Sequence, residues 1–292
     1  QLGARAFASI SGEVVSTAMF CVQAAGPSAR QTIFVRLTDG DAIEKEVSFH
    51  LSSNRFKFSQ PDFKRVPGSP MVYWVGLRLV ELYEKLPPVG NLALFREGLH
   101  TADNGRFVRQ WWEVQSGRFG RGETSYESIK ASGARWIPYN KGGGCIRWYG
   151  NYEYVVAFDE DSRNAMDELK GHIRPSQSLY FKEGGTWSDI GSKGFGVKYY
   201  PSGFLFDAKG PVCVGANIEV LIAGLNSAPF SYLAELLMPT ISYKCGTVKT
   251  IPFPAKVDSA RVETTSNAAI TLARADWDNF ETSWDFRDQP LL

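Results

Sequence analysis

Between residues 96 and 151, cationic, aromatic and glycine residues are closely interleaved. Arg106 and Arg109 stand just before Trp111 and Trp112, and Asn140, Lys141, three glycines, Arg147, Trp148, Tyr149 and Asn151 share the run at 140–151. Guanidinium and ammonium groups take phosphates, aromatic faces lie against bases, and glycine lets a backbone approach a ligand closely. This combination predicts a nucleic-acid-recognising face. The stretch holds nine cations against five carboxylates, in a chain whose formal net charge is only +1. Acids gather elsewhere, at Asp159, Glu160 and Asp161 and again at Asp276, Asp278, Glu281, Asp285 and Asp288. A surface polarised in this way steers a polyanion to one face, although an ordinary solvated surface has the same charge pattern.

Within the stretch two roles suggest themselves. Arg106, Arg109 and Lys141 sit beside turn formers, where long cationic side chains can follow a phosphate backbone. Thr101, Asp103 and Asn104 suit a tight turn, and Gly105 permits positive φ. Asn140, Arg147 and Asn151 flank the glycines, where an amide can pair with adenine or a guanidinium with guanine. Trp111, Trp112, Trp136, Trp148 and Tyr149 either stack on bases or anchor the loops from inside; both readings stand.

Other chemistries lack their motifs. Cys21, Cys145, Cys213 and Cys245 have no CxxC spacing and the three histidines are scattered, so neither a zinc site nor a disulfide framework is signalled, and reduced cysteines in a cytoplasmic protein are expected. There is no GxSxG elbow. GRFGRG at 117–122 and GSKGFG at 191–196 lack the GK[ST] ending of a P-loop and read as loops. No apolar run is long enough to cross a bilayer.

The elements that must position these residues are mixed. At 292 residues, 43% hydrophobic and 13% aromatic, the chain is expected to form two compact units. GEVVSTAMFCVQ, burying Val14, Val15, Met19, Phe20 and Val22, and RQTIFVRLTDGD predict an antiparallel strand pair, with KEVSFHL as a third strand. Residues 53–70 carry three prolines and read as a connection. A helix follows, with Val75, Leu79, Leu82 and Leu86 on one side, stopped by Pro87 and Pro88. YEYVVAFDED predicts a strand, SRNAMDELKGHIR a short helix capped by its serine, and SLYFKEGGTWSDI and GFGVKYYPSGFLFDAKGPVCVG a series of short strands. ANIEVLIAGLNSAPFSYLAELLMPTI predicts one or two core helices, kinked or divided at Pro229.

The motifs GLHTADNGRFVRQWWEV, WIPYNKGGGCIRWYGNYEYVVAF, GGTWSDIGSKGFGVKYYPSGFLFDAKG, LIAGLNSAPFSYLAELLMPT and WDNFETSWDF, taken together and in this order, resemble the target-recognition part of the large adenine-specific DNA methyltransferases of BREX phage-defence systems. More distantly the chain is similar to type IIG restriction-modification enzymes and to specificity subunits of type I systems. LGARAFASISGEVVSTAMFCVQ resembles the last strands of the family's catalytic domain. The family's cofactor glycines and its Asn-Pro-Pro-Tyr tetrapeptide have no counterpart here, since Pro87 and Pro88 are followed by Val89.

The resemblance therefore implies a fragment of α+β class. Residues 1–60 would be edge strands of a Rossmann-like methyltransferase sheet, 61–255 a target-recognition domain, and 256–292 the start of a C-terminal region. It implies double-stranded DNA as partner, with other defence-system proteins or phage inhibitors as further candidates, and no membrane. The parent would use S-adenosylmethionine; this fragment would bind none and be inactive alone. It adds Trp187 to the readout or stacking candidates, and Phe7 as an aromatic packed against a flipped base, a core position at a sheet edge being the alternative. A stand-alone specificity subunit and a protein-interaction scaffold remain alternatives to the enzyme-bound reading.

Overall fold

A computed structural model describes residues 1–6, 17–22, 31–191, 193–238, 242–254 and 257–288. The chain divides into two compact units, Gln1–Leu86 and Pro87–Leu292, both mixing helices with small sheets. The fold class is α+β.

In the first unit, β1 (Gln31–Val35) follows the predicted apolar run, but its antiparallel partner is β2 (Arg55–Ser59), with Phe34 opposite Phe56. The proline-rich connection expected at 53–70 is thus a strand followed by a 3-10 turn at Gln60–Arg65. The prolines at 61, 67 and 70 lie outside the ladder, where their missing N–H costs nothing, while Phe56 and Phe58 sit at alternate strand positions. Phe58 stacks on Phe63 at 4.6 Å, and Phe34 on Tyr73 at 4.4 Å. Val14 and Val15 lie outside the described residues. Met19, Phe20 and Val22 are exposed rather than buried in a strand, and the strand that pairs with β1 is β2.

The predicted third strand is instead helix α1 (Ala42–Ser48). A capping box starts it: the Asp41 carboxylate accepts from the Ile43 and Glu44 N–H groups at 2.9 Å, and Glu44 accepts from the Asp41 N–H at 2.9 Å. Such a cap is worth about 1 kcal/mol, and it outweighs the weak strand preference of KEVSFHL. Helix α2 (Leu77–Lys85) begins only after Gly76, so its buried position is Val80, while Leu82 is exposed.

The second unit contains two four-stranded sheets. The first, in the order β3 (Leu94–Arg96), β10 (Val212–Val214), β7 (Gly184–Thr186), β8 (Lys198–Tyr200), is antiparallel throughout. The second runs β4 (Val108–Gln110), β6 (Tyr154–Ala157), β5 (Trp136–Asn140), β9 (Leu205–Phe206), with only β5 and β9 parallel. Single bridges at Leu99–Asp207 and Trp148–Lys198 stitch one sheet to the other.

Short helices α3 (Asn104–Phe107), α4 (Tyr126–Ser132) and α5 (Glu160–Asp167) punctuate the strands. The cap of α5 is Asp159 rather than the serine: its carboxylate accepts from the Ser162 N–H at 3.1 Å, and Ser162 lies buried within the helix. Helices α6 (Ile218–Leu225) and α7 (Ala228–Leu237) are separate, bent by 64°, with Ser227 as cap and Pro229 in the first turn, where it is tolerated. Their apolar residues are mostly buried, and among the described residues no single helix is long and apolar enough to cross a membrane. After α8 (Cys245–Val248), the long α9 (Ser259–Trp277) packs against α6, so 257–288 are part of this unit's packing.

The core is strongly aromatic: Phe107, Tyr139, Tyr152, Phe158, Tyr200 and Phe206 are all nearly or completely buried. Its strands cross closely at Gly98, where a Cβ would lie 1.9 Å from the Phe206 carbonyl oxygen. Gly98→Ala should therefore destabilise the protein by about 1–3 kcal/mol as overpacking of a rigid site. Gly117→Ala, at an open position, should be close to neutral; urea unfolding of both variants checks the contrast.

Candidate nucleic-acid interface

The glycine run leaves β5 as a loop, 141–151, that returns toward β6 and is exposed at Gly143, Gly144, Ile146 and Arg147. Gly142, Gly143 and Gly144 have φ of 80°, 108° and 70°, a sequence of conformations that side chains disfavour. Gly142 is also pressed against the chain, since a Cβ there would lie 2.4 Å from the Lys209 carbonyl oxygen.

Both ends of the loop are held by buried polar groups. At its entry Lys141 Nζ donates to Asp207 Oδ2 at 3.0 Å, and the Tyr139 hydroxyl donates to the same oxygen at 2.9 Å. At its exit Lys198, buried on β8, donates to the carbonyls of Gly150 at 2.6 Å and Asn151 at 2.9 Å, with its ammonium 4.3 Å from the Tyr152 ring centroid. In the middle, the Gly143 N–H donates to Ser188 Oγ at 3.2 Å.

The predicted site residues separate once placed. Arg147 is exposed at the loop's outer part, and its one polar contact among the described residues is at 3.5 Å, to the Phe195 carbonyl. Arg106 is also exposed, resting over Phe107. Arg109 turns back on the chain, donating to the carbonyls of Gly105 at 2.6 Å and Val108 at 2.7 Å. Asn151 ties its own loop, donating to the Gly143 carbonyl at 2.8 Å. Asn140 is 2% exposed, and its side-chain amide has no partner among the described residues. Phe7 lies outside the described residues. Positive φ in the turn before α3 falls on Ala102, while Gly105 lies inside α3.

Two aromatic candidates are corrected by burial. Trp187 is 2% exposed and donates its indole N–H to the Tyr243 carbonyl at 2.9 Å, and Tyr149 is 7% exposed. Trp148 packs half-buried against the core, held by its backbone bridge to β8. Neither buried ring has a face free for a base, because both complete the aromatic core.

The charge pattern is corrected too. Arg118 pairs with Asp159, Lys130 with Glu160 and Arg121 with Asp285, so the acidic runs neutralise part of the central stretch instead of forming an opposite face. Arg274 also reaches Asp278 and Asp285. The residues missed in the sequence are Lys198, Asp207 and the group formed by Asp189, Lys209 and Lys244. These reach the loop from distant positions, and no local spacing marks them.

No protein-family model matches the chain. Along its whole length it is 35% identical to an adenine-specific methyltransferase, BrxX, of Escherichia coli O9:H4 (strain HS), and 35% identical to another, PglX, of Lacticaseibacillus casei (strain Zhang). The chain spans about a quarter of the length of these curated relatives, 24% and 25%.

The grip on the loop's exit carries a pH signature. Desolvation pulls the Lys198 ammonium down to about 7, against the opposing field of Glu153. An unfolded lysine keeps its proton to about 10.4. Between these values the unfolded chain binds more protons, so this residue's contribution makes stability rise with pH from about 7 to about 10; as pH falls through about 7 that gain is lost. Lys198→Met should flatten the rise, read as the difference in urea midpoint between pH 7 and pH 9 for wild type and variant.

Proposed function

We propose that this chain is the DNA-recognising part of an adenine-specific DNA methyltransferase of a phage-defence or restriction-modification system. It supplies sequence readout and backbone grip. The observation that carries this reading is the exposed glycine loop bearing Arg147, fixed at both ends by buried polar groups, in a chain similar along its whole length to adenine-specific methyltransferases. Fixed ends reduce the ordering that binding would otherwise require, and the glycines permit close approach to a groove.

In the larger enzyme, an adenine would be flipped from the duplex and methylated on its exocyclic nitrogen, with the methyl group supplied by S-adenosylmethionine. That cofactor offers an ammonium, a sulfonium and a ribose diol, which call for free carboxylates. The aromatic cavity of about 320 Å³ lined by Phe56, Tyr73 and Trp74 has Asp62 as its acid, and Arg65 already holds it at 3.2 Å. This cavity does not fit the cofactor. The chain also lacks the family's cofactor glycines and Asn-Pro-Pro-Tyr tetrapeptide, so alone it is expected to bind no cofactor and transfer no methyl group, and calorimetric titration would expose any stoichiometric binding.

Labour is divided on the interface. Arg106 is free to follow phosphates. Lys141 and Arg109 are more committed to the protein, and they contribute to backbone grip through position more than through free charge. Arg147 is the base-reading candidate. Asn140 and Asn151 act on readout by shaping the loop, Asn140 from beneath it and Asn151 across it.

Affinity for cognate and scrambled duplexes at two salt concentrations tests this. Arg147→Ala should lose discrimination worth roughly 1–3 kcal/mol. Arg106→Ala should weaken all duplexes alike and reduce the salt slope by about one. Equal loss on both duplexes for Arg147→Ala would move it to the phosphate group, and salt-independent behaviour of the wild type would favour a protein-docking scaffold.

A further inference from the structure

Beside the glycine loop lies a second cationic cluster, built around Asp189 just past β7. Its carboxylate is 2% exposed, yet two lysines distant in sequence converge on one oxygen: Lys209 Nζ at 2.9 Å and Lys244 Nζ at 2.7 Å from Oδ2. Ser242 Oγ donates to Oδ1 at 3.2 Å. The same segments are locked through the backbone, the Asp189 N–H donating to the Lys209 carbonyl at 2.9 Å and the Tyr243 N–H to the Asp189 carbonyl at 2.7 Å. Burial would push the Asp189 carboxyl up, but the two lysines outweigh it and hold it below its ordinary range. The bond to Asp189 in turn raises Lys209.

One carboxylate neutralises one ammonium, so this cluster carries a surplus positive charge. Bonds of 2.9 and 2.7 Å to one oxygen keep the two nitrogens within about 6 Å of each other, a separation that one phosphate group can span. Both lysine side chains are about half exposed, 55% and 52%. Glu97 acts on Lys209 at longer range and pairs with neither lysine. The cluster borders the loop directly: Gly142 presses on the Lys209 carbonyl, and Ser188, next to Asp189, receives the Gly143 N–H. A purely structural tie would need a single lysine. The second adds repulsion that a polyanion relieves.

We propose that Lys209 and Lys244, positioned by Asp189, form a phosphate clamp that grips the DNA backbone alongside the glycine loop. This rests on the DNA-recognition reading and adds residues to it. Lys209→Gln and Lys244→Gln each leave Asp189 with one cationic partner, so the fold is kept, as thermal melting would verify. Measured by fluorescence anisotropy at about 0.1 M salt, each variant should bind cognate and scrambled duplex about tenfold more weakly and lower the salt slope by about one. Lys209→Arg should retain most of the affinity.

Folded variants that bind duplex as the wild type does, with the same slope, overturn the clamp and leave the wider reading intact. A wild type that binds no duplex at low salt overturns both. Titration with inorganic phosphate separates the two sources of the anion. Displacement of duplex no greater than that by chloride of equal ionic strength supports the DNA backbone. Phosphate binding that both variants lose while keeping duplex affinity overturns the clamp in favour of a free-anion site.

Discussion

Three successive glycines leave residues 142–144 with no side chains to limit their own conformation, so the shape of the loop is decided by what grips it, at Gly143 in the middle and at its ends. Lys141 and Lys198 do this in different ways. Lys141 meets a carboxylate, Asp207, which the Tyr139 hydroxyl also engages. Lys198 has carbonyl oxygens and an aromatic face as its close partners. A buried charge is expensive unless its hydrogen bonds are satisfied; Asp207 is engaged by both Tyr139 and Lys141, and Lys198 by three successive residues, 150–152. Loss of either grip would free a chain segment that has many alternative conformations, because glycine gives up more backbone entropy on ordering than any other residue.

The same distinction between buried and exposed partners decides which cations are available to a polyanion. Lys130 and Glu160 are both largely exposed, and such pairs contribute about 1 kcal/mol or less. A phosphate can take the lysine at little cost. Arg118 with Asp159 and Lys141 with Asp207 are different, since their carboxylates are 17% and 8% exposed and removing the cation would strand a charge with little water around it. Counting cations along the sequence overstates the usable charge of the central stretch, and the acidic runs that look remote in sequence are its counter-ions.

Much of the local structure is legible in the residues. The strand at Tyr154–Ala157, the break between α6 and α7, and the glycine loop follow from β-branched runs, a proline in a first turn, and consecutive glycines. Where the reading failed, a competing local or long-range contact had won. The capping box at Asp41 and Glu44 turned an expected strand into α1, and pairing of β1 with β2 made a strand of an expected connection. Trp187 and Tyr149 look like stacking platforms by type and by their glycine-rich surroundings, but the unit needs large rings to fill a core built from short strands. Asp189, Asp207 and Lys198 were invisible because their partners lie far along the chain.

Under the proposed DNA-recognition reading, these placements narrow how the loop would meet a duplex. With Trp187 and Tyr149 committed to the core and Asn140 buried under the strand end, few side chains at the glycine run are left to meet base edges. Arg147 is exposed and lightly held, and a guanidinium reaching a base edge pairs best with guanine through two parallel bonds. One such contact discriminates at one position only. Recognition of a longer site would then draw on backbone approach by the glycines and on the sequence-dependent shape of the duplex, which phosphate-gripping cations sense without touching a base. A loop with fixed ends suits that mode, since it presents one geometry against which deformable and stiff DNA sequences differ in energy.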